Sequence, residues 1–555
     1  MEFQAPIRDL LSALAAAGFA EVQAQRAFSD LDDDTLRAVL IAAGEYAAAR
    51  LAPLNRDGDI EGARYENGRV TAPKGFAEAY RAFAADGWNS LAAPADAGGQ
   101  GLPKTLELAV FECANAANAA FSLCPMLTLG AIEALDAFAD ARQRTLYLPR
   151  LVSGEWTGTM NLTEPQAGSD LAALITRAEP DGAGGWRLSG QKIFITWGDH
   201  DMADNIVHLV LARTPGAPAG VRGISLFLAP KRLVGADGAL GAANTLRPGS
   251  IEHKLGIHGS PTCVMLYEGA HAELVGEENR GLAQMFVMMN AARLHVGVQG
   301  VGLAERAYQQ AYAYARERRQ GRSAWNRAYP APIFDHPDVR RMLMLMKAKT
   351  AAARRICLLA GVAADLSRHA DDEDRRDAAR ARWELLTPIA KAWSTDVGVE
   401  VASLGVQVHG GMGFVEETGA AQYYRDARIA PIYEGANGVQ AIDLVGRKIA
   451  GEPAAANALL AEIAAEAEGA LIPALAALRD ATEWMRAHQG PDSLAGASAY
   501  LTLWGDVLGG WLLARSRAPL QRFYAEQVLA HAPALAAAAT AGAAALDLPP
   551  AAFES

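Results

Sequence analysis

The segment Pro431-Ile432-Tyr433-Glu434-Gly435-Ala436-Asn437-Gly438 sets a carboxylate between an aromatic residue and a glycine. An apolar flank raises a carboxylate's pKa toward neutrality, and the glycine leaves the adjacent backbone N–H open. This combination suits a base that removes a weakly acidic proton. In Met160-Asn161-Leu162-Thr163-Glu164-Pro165-Gln166-Ala167-Gly168-Ser169-Asp170, the N–H groups around Gly168 and Ser169 suit a pyrophosphate nest, and the Thr163 hydroxyl suits the edge of a heterocycle. In Lys192-Ile193-Phe194-Ile195-Thr196-Trp197-Gly198, Phe194 and Thr196 stand two apart on one side of a strand, where a flat ring can stack. Glu317-Arg318-Arg319-Gln320-Gly321-Arg322-Ser323 puts cations at a helix C-terminus, where they complement the macrodipole. Gln407-Val408-His409-Gly410-Gly411-Met412-Gly413 and Tyr424-Arg425-Asp426 precede the glutamate. Each segment alone also reads structurally, as a turn capped by Asp170, a packed strand, a solvated helix end or a turn glutamate.

The elements that position these residues follow from periodicity. Residues 35–51 and 75–87 carry apolar positions at three- and four-residue spacing, which predicts helices. Between about Glu155 and Val275 the pattern changes to short β-branched and aromatic runs bounded by Gly, Pro and Asp: 185–195, 205–213, 223–229 and 262–267. Helical periodicity returns over 282–319, 337–370 and 384–405, and the Ala-rich tail from Gly451 onward is helical, with Ala532 to Ala545 its one low-complexity stretch. That tail holds 11 acidic and five basic residues, half of the chain's net charge of -12. There is no clear internal repeat.

Composition excludes several functions. At 555 residues the chain holds three or four domains of roughly 150 residues each. Its acidic balance argues against nucleic acid or anionic membrane as a partner, since both need a basic footprint. Cys113, Cys124, Cys263 and Cys357 have no CxxC spacing and read as reduced core thiols of a cytoplasmic protein, with no metal site. Leu10 to Ala20 follows Pro6, Arg8 and Asp9 without a basic leader region and reads as a first helix. The uncharged run Cys113 to Ile132 contains Asn115, Asn118, Ser122 and Pro125, so a buried helical wall is expected and no transmembrane segment. Neither GxGxxG after a strand, GxxxxGK[ST], HExxH nor GxSxG occurs, and Gly300-Val301-Gly302 lies in a helical pattern.

Taken together and in this order, the chemical segments resemble the acyl-CoA dehydrogenase family from about residue 35 to 450. The stretch from Phe3 to Asp9 and the long tail resemble a larger bacterial branch that includes enzymes of 3-methylthiopropanoyl-CoA and of broad-range fatty acyl-CoAs. The resemblance implies a mainly α fold with a central β domain. Its parts would be an N-terminal extension (1–34), a helical domain (35–154), a β-barrel-like middle domain (155–277), a four-helix bundle (278–450) and an extra helical unit (451–555).

The same resemblance implies a site. Met160, Leu162, Thr163, Phe194, Ile195 and Thr196 would flank the flavin of an FAD, and Gly168 and Ser169 would approach its pyrophosphate, with Ser169 also near CoA. Arg318, Gln407, Gly410 and Gly411 resemble the set that reaches a neighbouring subunit's FAD, which implies a homodimer or homotetramer. Ala436 and Gly438 fall at further cofactor positions, Arg293 and Gly435 at substrate positions, and Met126, Leu127 and Leu129 on the wall of the acyl pocket. Glu434 matches the catalytic base, whose backbone N–H with an FAD ribityl hydroxyl would stabilise the charge developing on the thioester oxygen. Hydride transfer to flavin N5 would then yield a trans-2-enoyl-CoA. Three positions depart from the pattern: Ala436 for a common threonine, Gln166 for a common glycine, and Gly321 directly after Gln320 without the usual phenylalanine. The expected partners are an acyl-CoA and an electron-transfer flavoprotein. An oxygen-using acyl-CoA oxidase and a non-enzymatic flavoprotein module are the alternatives on the same scaffold.

Overall fold

Long apolar-faced helices must bury their stripes against one another, and a half-apolar sheet must bury one face. The computed structural model, which describes residues 3–517 and 519–554, satisfies both demands in two compact units. One comprises residues 45–103 and 117–292, the other residues 1–44, 104–116 and 293–555.

The first unit is built on a seven-stranded sheet. Its order is Trp156–Asn161, Asn205–Ala212, Ser225–Pro230, Thr262–Leu274, Trp186–Thr196 and Arg177–Pro180, with Leu246–Ile251 also paired to Thr262–Leu274. The first pair is parallel and the others are antiparallel. Thr262–Leu274 extends well beyond the run to Tyr267 that its β-branched pattern marks, and its last residues pair with Ser225–Pro230. Ile195, Leu188, Val210, Phe227, Cys263, Met265 and Tyr267 share the core beneath this sheet. Two strands are weak in sequence for visible reasons. Arg177–Pro180 is a four-residue edge strand, and Leu246–Ile251 contains Pro248, Gly249 and a register shift.

In the second unit the principal helices are Gly281–Glu317, of which residues 293 onward belong here, Pro337–His369 and Glu373–His409. The last starts eleven residues before the Glu384 suggested by apolar periodicity. Its exposed first turns are polar, and the Asp372 side chain caps it by accepting from the N–H groups of Asp374 and Arg375. Helices 281–317 and 373–409 meet backbone to backbone. A Cβ on Gly297 would lie 2.9 Å from Ala390 O, and one on Gly300 would lie 2.6 Å from Ser394 O. Arg354, fully buried, bonds Glu112 at 2.6 Å and Glu305 at 2.8 Å, while Lys347 bridges Glu305 to Asp9 of the N-terminal helix Ile7–Ala17. Among the described residues one helix, Lys104–Phe138, has the length and apolarity to cross a membrane, but its apolar window is 78% buried inside the protein. All four cysteines are free and buried.

Helix Pro491–Arg515 of the tail packs on Glu373–His409, where the Trp393 indole donates to Asp506 Oδ1 at 3.1 Å. The approach requires Gly505, because a Cβ there would fall 2.2 Å from Cγ of the buried Trp393 ring. Gly505→Ala is therefore expected to destabilise the protein by about 1–3 kcal/mol through overpacking. Chemical denaturation with Trp fluorescence checks it, and an unchanged midpoint would contradict this packing.

Candidate active site

In the β unit the segments 160–170 and 192–198 are joined directly. Ile193 N–H donates to Thr163 O at 2.9 Å, and Lys192 Nζ reaches Leu162 O at 2.9 Å and Glu164 Oε1 at 2.8 Å. Lys192 and Glu164 are 0% and 1% exposed. The carboxylate also accepts from Ile175 N, Thr176 N and Gln166 Nε2, so Gln166 supplies a donor where a glycine would give none. Burial raises the Glu164 pKa, but Lys192 and these donors outweigh it and hold the group below its ordinary range. Lys192 is lowered to about 8 by burial, which the Glu164 charge offsets only in part.

This pair fixes a platform. Phe194 sits on a β-bulge with φ +58° and keeps 58% of its surface exposed, whereas Ile195 beside it is buried and Thr196 half-buried. Left-handed backbone at a bulky residue is costly and persists where the surroundings over-determine it. Leu162 is buried, while Met160 and Thr163 are half-buried. Gly168 and Ser169 are exposed, and their backbone N–H groups have no partner among the described residues. Asp170 caps the short turn that follows by accepting from Ala172 N. An exposed aromatic face, a threonine hydroxyl and two open N–H groups fit a flavin dinucleotide. Met126, Leu127 and Leu129 are buried on helix Lys104–Phe138.

In the helical unit, Tyr314 stacks on His409 with ring centroids 4.4 Å apart, so the ends of helices 281–317 and 373–409 adjoin. Arg318 follows Tyr314 by one turn, and Gln407, Gly410 and Gly411 flank His409. All four are exposed, and a Cβ on either glycine would meet open space. Gly321, at φ +68°, begins a loop in which Gln320 N donates to Ala331 O and Ile333 N to Arg318 O, which pins the Arg318 backbone without the phenylalanine.

Glu434 lies in the same unit, in the turn before helix Asn437–Asp443, with φ +55°, and is followed by Gly435 at φ +86°. Among the described residues its carboxyl oxygens accept no hydrogen bond and its backbone N–H has no partner. Burial pushes the half-covered carboxyl up to about 7, against the pull of Arg293 and Lys391. Arg293 Nε donates to Glu434 O at 3.3 Å, so this residue, expected at the substrate, also braces the turn. Ala436 precedes the helix and Gly438 is exposed in its first turn. Tyr433 bonds the buried Gln299 through its hydroxyl.

Sequence reasoning missed three members of this arrangement: Lys391, Asn437 as a hub, and the Lys192–Glu164 pair. Lys391 Nζ donates to Gly435 O and Asn437 Oδ1, each at 2.9 Å, and Asn437 Nδ2 returns bonds to Ala392 O, Thr395 Oγ1 and Asp396 Oδ1. The available signal was a lone lysine in the apolar run Ile389-Ala390-Lys391-Ala392-Trp393, since a lysine is almost never fully buried without partners.

A helical N-terminal region, a central β region and a helical C-terminal region form the acyl-CoA dehydrogenase fold. The N-terminal, middle and C-terminal domains of acyl-CoA dehydrogenase match residues 33–155, 159–270 and 279–450. The chain belongs to the acyl-CoA dehydrogenase family of flavoprotein oxidoreductases. It is 48% identical over 535 residues to the 3-methylmercaptopropionyl-CoA dehydrogenase of Ruegeria pomeroyi, covering 93% of this chain and 91% of that protein. Its fold is similar to Caenorhabditis elegans ACDH-11 in complex with C11-CoA (TM-score 0.78, 21% identity, 96% of this chain and 91% of that one). It is also similar to a Bacillus anthracis acyl-CoA dehydrogenase complexed with FAD (TM-score 0.72, 20% identity, 93% and 89%).

Proposed function

We propose that this chain catalyses α,β-dehydrogenation of an acyl-CoA with Glu434 as the base and FAD as the cofactor. The observation that carries the reading is a glutamate whose carboxyl and backbone N–H both lack a hydrogen-bond partner among the described residues and whose pKa is raised to about 7. A thioester α-proton is too weakly acidic for an ordinary carboxylate. A base poised near the working pH and a donor for the developing oxyanion each lower that barrier. Glu434 would take the proton on its carboxylate and offer its N–H to the thioester oxygen. Met160, Leu162, Thr163, Phe194, Ile195 and Thr196 would hold the flavin ring, Gly168 and Ser169 the pyrophosphate, and Ala436 and Gly438 would give close approach. When bound, FAD supplies the acceptor for the hydride equivalent leaving the β-carbon.

The exposed set Arg318, Gln407, Gly410 and Gly411 supports a homodimer or homotetramer in which it contacts a neighbouring copy's cofactor. An electron-transfer flavoprotein is the proposed acceptor. The relative from Ruegeria pomeroyi is named for 3-methylmercaptopropionyl-CoA, and an acyl-CoA of that class is the proposed substrate. The test is to purify the protein with FAD, confirm a bound flavin spectrum, and mix it anaerobically with 3-methylmercaptopropionyl-CoA and linear acyl-CoAs of increasing length. Bleaching of the flavin by at least one thioester is expected. A protein that binds no FAD after reconstitution, or that no thioester reduces, would refute the proposal.

A further inference from the structure

We infer that Lys391 is a positioning residue for the reaction: its ammonium holds the turn Glu434–Asn437 through Gly435 O and Asn437 Oδ1, and sets a positive charge beside the carboxylate without binding it. The inference rests on the reading of Glu434 as the base. Two successive residues with positive φ, the first not a glycine, form a turn that persists only if the surroundings fix it. Both carbonyls of that turn are held. Arg293 Nε takes Glu434 O, while Lys391 Nζ at 2.9 Å and Gln440 Nε2 at 3.3 Å take Gly435 O.

Lys391 is itself fully buried, and a buried ammonium needs acceptors. The two it uses both lie just after Glu434. The lysine in turn cannot shift, because its helix is seated against Gly297 and Gly300 on one side and clamped through Trp393 to Gly505 and Asp506 on another. No ion pair joins Lys391 to the Glu434 carboxylate among the described residues, so the oxygens stay open to a proton; burial lowers Lys391 to about 7 against the pull of Glu434 and Asp396, so the field of its cation acts on them most fully below that pH. A direct salt bridge would occupy the base. The charged and titratable groups around this turn are Arg293 from helix 281–317, Lys391 and Asp396 from helix 373–409, Tyr433 beside the base, and Asp443 and Arg447 from the segment that follows.

The experiment compares Lys391→Met, Lys391→Arg and Glu434→Gln with wild type, all loaded with FAD and checked for flavin content and melting temperature. Each is mixed anaerobically with 3-methylmercaptopropionyl-CoA across neutral pH, and amide exchange of residues 429–439 is followed in parallel. Lys391→Met should slow flavin reduction about 10- to 100-fold, as expected when a reacting group is displaced by about 1 Å. Loss of a cation disfavours the ionised carboxylate, so the pH limb of the rate should move up by about one unit. Exchange of the turn should rise roughly tenfold. Lys391→Arg keeps a cation at the turn and should not move the limb up. An unmoved limb together with unchanged exchange in Lys391→Met would overturn the inference, whatever the rate. Near wild-type reduction by Glu434→Gln would instead overturn the assignment of the base. Should Lys391→Met not retain FAD, Asn437→Ala removes one of the lysine's acceptors and should also speed exchange of the turn; unchanged exchange there likewise overturns the inference.

Discussion

Glu434→Gln is expected to bind FAD and acyl-CoA and yet to lose flavin reduction by a factor of about 10² to 10⁴, the usual cost of removing a general base. The amide preserves size, turn geometry and the backbone N–H, but it cannot accept the α-proton at neutral pH. In the wild type the rate should rise with pH through about 7, because only the ionised carboxylate acts and burial has raised its pKa to that value. The variant should lose this limb. Stability should move in the opposite sense. A carboxyl whose folded pKa is raised from 4.5 to about 7 contributes stability that is present below the unfolded value and is lost as pH rises through the folded one. Glu434→Gln removes that loss, so at pH above about 7 it should melt no lower than wild type. Rapid anaerobic mixing and a pH series of melting curves measure both effects. Reduction within roughly tenfold of wild type would mean that another group is the base. A non-enzymatic flavoprotein would show no rate to lose.

Much of this site was legible because its parts are local. A glutamate between tyrosine and glycine, a Gly-Ser turn and an aromatic strand end each announce themselves within a few residues, and the change of period from helix to strand located the β region. What stayed hidden was long-range. Nothing near Lys391 in sequence says that its acceptors lie 44 and 46 residues later, and Glu164 and Lys192, 28 residues apart, read separately as a turn acid and a strand cation. The start of helix 373–409 was missed because its first turns are solvated and carry no apolar stripe. Phe194 and Thr196 read as two apart on one side of a regular strand, but Phe194 lies in a left-handed bulge that follows from the pairing of Lys192 with Met265 and of Ile195 with Cys263 rather than from its own neighbours.

Glu164→Ala should be among the most destabilising substitutions in the β unit, by about 3–5 kcal/mol, as expected when one partner of a buried ion pair is removed. It leaves the Lys192 ammonium with Leu162 O alone and strands the N–H groups of Ile175 and Thr176. The pH dependence identifies the cause. Lys192 is already lowered from its ordinary 10.5 to about 8. Between those values the unfolded chain binds the proton more tightly than the native one, so stability rises with pH across that window. Without Glu164 the folded pKa falls further, the rise begins at lower pH, and the deficit of the variant should shrink as pH increases. Glu164→Gln retains an acceptor and should cost less than Ala. Because the pair also fixes Leu162 and Thr163 against Ile193, the variant should lose FAD more readily, and excess FAD should recover part of its stability by mass action. Denaturant unfolding with and without FAD across the pH range measures all of this. A deficit that does not vary with pH would show that Lys192 finds another partner, and an FAD affinity unchanged from wild type would separate the pair from the flavin platform.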